Sequence, residues 1–274
     1  RALKIWNATI EIRPRGVTEV VDLATSFYRR HLGVFAAILA AYGLPILAIA
    51  AALQALVGEW WLTLLAFYLL APIPAGAVVL AASRLVFGTP LTLRDVSALY
   101  RPLAAGLFFR RLGQNLLVLL LLPVVAGYVL RLRFAFTPMI VLLERLTGRA
   151  LAVRRVGLGR RGGSSGFGLD LLLLLVVGIS VLGMAVVVEL VGTDFLTVLD
   201  DGGMFSAEAF GDPVRVTLWL AAVLVVAPIA WLGWFFHYID ARIRGEGWDL
   251  ELGMKSAAAR VRRASGGGDE EAAA

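Results

Sequence analysis

Four long, predominantly apolar segments, Val34–Val57, Trp60–Phe87, Gly168–Val191 and Val214–Tyr238, constrain this chain more than any other feature. Each exceeds the roughly 20 helical residues needed to cross a hydrocarbon core about 30 Å thick. The composition agrees with them: 59% of residues are hydrophobic and 17% charged. A soluble domain carries about a quarter charged residues, so a water-soluble globule is excluded.

Two further segments complete the membrane region. Leu112–Leu130 is a clear span interrupted by Pro123, which is tolerable where neighbouring helices satisfy the freed carbonyl. Leu132–Leu146 is short, contains Pro138 and carries Arg133, Glu144 and Arg145. Its length alone suggests an interfacial or re-entrant piece, and charge asymmetry decides for a crossing. With six spans, 23 of the 26 basic residues fall on one side, leaving Arg131, Arg133 and Arg215 for the other. The loop Gly192–Asp212 has five acids and no base, as an outer loop can. Because cytoplasmic loops concentrate Lys and Arg, both termini are expected in the cytoplasm. The fold class is therefore an all-α integral membrane protein, a six-span helical bundle with an N-terminal amphipathic interfacial helix.

That helix is read at Val17–His31, where Val17, Val20, Val21, Ala24, Tyr28 and His31 recur at helical spacing. Glu19 and Asp22 suit its positive end, Arg29 and Arg30 its negative end. Four regions follow: residues 1–33, a cytoplasmic arm and interfacial helix; 34–238, the transmembrane domain; 239–256, a cytoplasmic juxtamembrane segment; and 257–274, a tail poor in apolar bulk and expected to be disordered. Gly162-Gly163-Ser164-Ser165-Gly166 reads as a flexible joint before the fifth span, and Asp212-Pro213 as the start of the last helix.

The chemistry-bearing residues are few. There is no Cys, and His31 and His237 are too far apart in sequence to argue a metal site. No catalytic triad, paired acid site, phosphate loop or zinc motif appears, so neither catalysis, cofactor nor metal is expected. The net charge of +6 comes from 24 Arg and 2 Lys against 20 acids. These arginines lie between apolar runs, so they report topology and lipid contact, with no nucleic acid expected as a partner. Their predominance over Lys looks like high-GC bacterial usage, which points to a bacterial cytoplasmic membrane.

Glu144 is the leading intramembrane polar candidate, because an acid at membrane depth needs a partner or a wet path. Arg145 or Arg133 is its expected partner, although one turn from the span end it can also reach water. Gln114 and Asn115 are expected to hydrogen-bond across helices, while Asp170 and Glu189 read as interfacial. Asp240, Arg242, Arg244 and Glu246, with Trp248 as an interface anchor, form an alternating-charge segment that either docks a partner or caps the bundle. Arg29, Arg30, Arg110, Arg111, Arg154 and Arg155 are the expected contacts to anionic lipid headgroups.

Three stretches carry a family resemblance: Arg13–Gly33, Arg131–Arg155 and Tyr238–Leu252. In order and spacing they resemble a large group of bacterial multi-span proteins similar to the membrane region attached to some glycerophosphoryl diester phosphodiesterases. Pro138 and Glu144 match the family's proline-containing helix that ends in Glu, whereas Arg155 and Val156 stand where Ser and a bulky aromatic belong. The resemblance implies six spans and no reaction, since the phosphodiesterase chemistry belongs to a separate soluble barrel. The leading expectation is a non-enzymatic scaffold or accessory subunit of a membrane complex, with other membrane or cytoplasmic subunits as partners. The alternative is a small-solute or lipid transporter using proline-broken helices and Glu144.

Overall fold

The computed structural model describes residues 14–123, 125–192 and 211–246, without the side chains of 161–164, 188–192 and 246. The described residues form helices and no strand. An amphipathic helix α1 (Val17–Arg30) precedes α2 (Leu32–Val57), α3 (Trp60–Leu85), α4 (Leu93–Leu121), α5 (Val125–Glu144), α6 (Gly148–Gly192) and α7 (Pro213–Glu246). Helices α2 to α7 hold six segments long and apolar enough to cross a membrane. The outer surface is apolar, with Leu56, Phe109, Leu120, Val125 and Ile179 exposed. Such a surface suits lipid rather than water.

Prolines shape the spans. A proline removes one amide from the ladder and clashes with the preceding turn. Just before Pro45, α2 widens into a π-helical turn at Leu39–Gly43. Helix α3 breaks at Ala71, ahead of Pro72 and Pro74, and the Tyr100 hydroxyl donates to the Ile73 carbonyl at 2.9 Å. Near Pro138, α5 breaks at Ala135–Phe136 and ends in a second π turn, Ile140–Glu144. In the turn preceding Pro228 of α7, the Val225 carbonyl accepts a hydrogen bond from the Tyr28 hydroxyl at 2.9 Å.

Three sequence expectations change. First, α4 ends at Leu121 and α5 begins at Val125, so Pro123 lies in the connection rather than within the third span. Arg131 and Arg133, expected at a span end, therefore sit about two turns inside α5. Helix α4 itself starts at Leu93, capped by Thr92 and Asp95. Second, Gly162–Gly166 is helical, making α6 a continuous helix of 45 residues, about 68 Å long. Third, the apolar face of α1 meets the bundle instead of headgroups. Val20, Val21, Ala24, Phe27 and Tyr28 are buried, α1 packs along α6 and α7, and Phe27 meets Phe236 edge-on at 5.3 Å. Burying two aromatics against protein offers specific packing that a disordered acyl layer lacks.

The longest interface joins α6 to α7. Gly233 makes it possible, since a Cβ there would come within 2.9 Å of Leu173. Gly76 does the same between α3 and α4, where an added Cβ would stand 2.6 Å from the Tyr100 hydroxyl. Small residues at such crossings let helix backbones approach closely, the main source of cohesion where solvent is as apolar as the side chains.

Candidate functional site

Two groups of ionisable side chains lie within the bundle. The first surrounds Glu144. Arg154 binds it side-on, with Nε at 2.7 Å from Oε2 and Nη2 at 3.0 Å from Oε1. Tyr238 donates its hydroxyl to Oε1 at 2.6 Å, and Arg242 stands 3.9 Å away. The expected partners Arg145 and Arg133 are therefore replaced by Arg154 and Tyr238. The reason is the left-handed residue Arg145 (φ 54°), which ends α5 and lets the chain double back so that α6 runs beside it. Such bidentate, charge-assisted geometry is among the stronger hydrogen-bonding arrangements open to a carboxylate. It ties the ends of α5 and α7 to the start of α6.

Asp240 forms a smaller knot beside it. Its carboxylate accepts from the Arg15 backbone amide at 2.8 Å and from Arg244 Nε at 2.9 Å, while Arg244 also donates to the Arg15 carbonyl at 2.6 Å. The N-terminal arm is thereby fastened to α7. Arg242 lies over the Tyr238 ring. The side chain of Glu246 and all of Trp248 lie outside the described residues, as do most of the acidic loop, the side chain of Glu189 and the tail.

The second group lines a cavity of about 280 Å³ between α3, α4, α5, α6 and α7. Proline breaks in α3 and α5 open this space, with Pro72 and Pro138 on its wall. Its polar residues are Tyr68, Arg111, Asn115, Arg131 and Asp170; its apolar wall includes Trp231 and Trp234. Asp170, expected at an interface, is 1% exposed. It accepts from Arg131 Nη1 at 2.5 Å and from the Tyr128 hydroxyl at 3.0 Å. A buried carboxylate is expensive unless paired and hydrogen-bonded, and here it is both.

Arg111 differs. Expected at a headgroup, it is partly buried in the bundle and lines this cavity. Its Nη1 donates to the Phe134 carbonyl at 3.0 Å and reaches Gln114 Oε1 at 3.4 Å. Among the described residues it has no carboxylate within ion-pair distance. Gln114 in turn donates to Thr137 at 3.4 Å, linking α4 to α5. Asn115 is buried and faces the same cavity. The cavity thus holds two guanidinium groups against one carboxylate, a net positive charge in a largely apolar setting.

Of the other residues expected at headgroups, Arg29 and Arg30 are exposed on α1 and Arg110 is partly exposed on α4. Arg154 is committed to Glu144, and Arg155 stacks over the Phe134 ring at 4.6 Å. The sequence reading did not bring Arg111, Arg131, Tyr128 and Asp170 together. The available signal was the pairing of opposite charges on consecutive spans once the reversal is placed at Pro123, which turns Arg131 from a terminal residue into one at Asp170's depth. Comparison of the chain with protein-family models, with curated proteins and with solved structures gives no match.

Proposed function

We propose that this multi-pass membrane protein is a transporter of a small anionic solute, with the five-helix cavity as its binding site. One observation carries the reading: Arg111, a cation that cannot be deprotonated at ordinary pH, faces an intramembrane cavity without a carboxylate partner of its own. Ionisable residues at such depth mark substrate or ion paths. A ligand carboxylate or phosphate oxygen would complete Arg111, and Trp231 and Trp234 would cover an apolar part of the solute. The volume equals that of about nine liquid-like waters, which suits a compact solute. The Arg131–Asp170 pair, reachable by the same solute, supplies a bond that can open and re-form.

In this reading the proline-broken helices serve as expected, but the binding residue is Arg111 and Glu144 is a structural knot. The basic end of the bundle faces the cytoplasm of a bacterial cell, and the protein catalyses no covalent reaction. The resemblance to the membrane region of glycerophosphoryl diester phosphodiesterases agrees with such a role without specifying a solute. The scaffold reading also accommodates six spans and the basic end, but gives the uncompensated Arg111 no task.

The test is uptake of radiolabelled benzoate, lactate and inorganic phosphate into vesicles containing the protein. Uptake of at least one is expected, with at least a tenfold loss in Arg111→Gln and none in Arg149→Gln, which alters an exposed arginine outside the cavity. Wild-type vesicles that take up none of the three, or Arg111→Gln vesicles that retain full uptake, would remove this reading.

A further inference from the structure

A second recess, independent of the transport reading, lies between α5 and the first half of α6 and is closed at the back by α7. Its volume is about 580 Å³. Arg133, Arg155 and Arg160 line it, and among the described residues none of the three has a carboxylate partner. Arg155 is held in place by its stack on Phe134. Three like charges sharing one recess repel, and a counter-charge between them would relieve the repulsion.

The recess floor is aromatic, with Phe136, Trp234 and the buried His237 among its residues. Its rim is more telling. Val129 of α5 and Val156 of α6, which both line it, are 42 and 51% exposed. On a membrane-spanning bundle such aliphatic exposure faces acyl chains. The recess therefore opens sideways to lipid, with a cationic rim and an aromatic back. A free anion would use only the cations, whereas a phospholipid would use both surfaces. Basic pockets between spans are suited to anionic headgroups.

We infer that this recess is a binding site for an anionic phospholipid, whose phosphate is held by Arg133, Arg155 and Arg160 and whose proximal acyl chain lies along Phe136 and Trp234. Arg155 and Phe134 form the corner between the two surfaces.

Native mass spectrometry of the whole protein in detergent, titrated with dioleoyl phosphatidylglycerol and with dioleoyl phosphatidylcholine, tests the inference. Phosphatidylglycerol should be retained at least tenfold more tightly. Each arginine changed to Gln should reduce that preference about fivefold, the worth of one cation near an anionic lipid surface; Arg149→Gln should leave it intact. If Arg133→Gln and Arg155→Gln do not fold, the exposed Arg160→Gln carries the same comparison. Equal retention of the two lipids by wild type, or an unchanged preference in Arg160→Gln and in whichever of the other variants is recovered, would overturn the inference. Millimolar inorganic phosphate should fail to displace the lipid. Displacement by phosphate would overturn the lipid identity and assign the recess to a free anion.

Discussion

Glu144 and Arg111 are both ionisable residues within the bundle, yet their surroundings differ in kind. Both carboxylate oxygens of Glu144 are engaged: Arg154 binds side-on, Tyr238 donates at 2.6 Å and Arg242 stands behind. Arg111 has a carbonyl, a long contact to an amide and a cavity. A charge inside a membrane protein is therefore not informative by itself. A saturated charge supports the bundle, and an unsaturated one beside empty volume points to a ligand.

The sharpest way to break this comparison is to neutralise both residues separately. Glu144→Gln should leave Arg154 without its carboxylate and lower stability by about 3 kcal/mol, the low end for a severed buried pair because both side chains retain some exposure. Thermal unfolding in detergent measures it, and solute uptake per folded molecule should be unchanged. Arg111→Gln should do the reverse, with uptake lost and the unfolding temperature unchanged or higher, because an uncompensated, partly buried charge is removed. If Glu144→Gln abolishes uptake while Arg111→Gln only destabilises, the assignment is inverted.

Smaller changes sharpen the contrast. Tyr238→Phe deletes one hydrogen bond to the Glu144 carboxylate and should cost about 2 kcal/mol in the same assay. Gly76→Ala, with its Cβ driven against Tyr100, should cost about 1 to 3 kcal/mol and narrow the cavity that Gly76 lines. The smallest effect concerns His31, between α1 and α2. Its pKa is lowered by burial and then by Arg30, and its ring lies 4.6 Å from Phe27. The neutral form is thus favoured in the folded protein, so its contribution is complete above the ordinary histidine value near 6.5 and declines as pH falls below it. His31→Gln should flatten that part of the stability profile.

Hydropathy made the helical class and the six crossings legible, because backbone satisfaction in lipid leaves few options. It did not make the third reversal legible. Leu112–Leu130 reads as one span, and Arg131 looks like its charged terminus; Asp170, 39 positions away, explains why an arginine can lie deeper. Gly162–Gly166 likewise carries a local preference for a joint that packing of α6 along α7 overrides. The α1 pattern correctly indicated an amphipathic helix, but periodicity cannot say whether an apolar face meets lipid or protein. The candidate site was least legible of all, since Arg111 and Arg131 were assigned by net charge to opposite membrane faces.

The 45-residue helix α6 carries Arg154 at one knot and Asp170 at the other. Sixteen residues separate them, about 24 Å of stiff rod at 1.5 Å per residue. A tilt of about 5° pivoting at the Glu144 clasp would swing Asp170 by roughly 2 Å, enough to part it from Arg131. Such a tilt would also slide Leu169 and Leu173 along α7. The Glu144 clasp would then be a fulcrum for a bond sixteen residues away along the same helix.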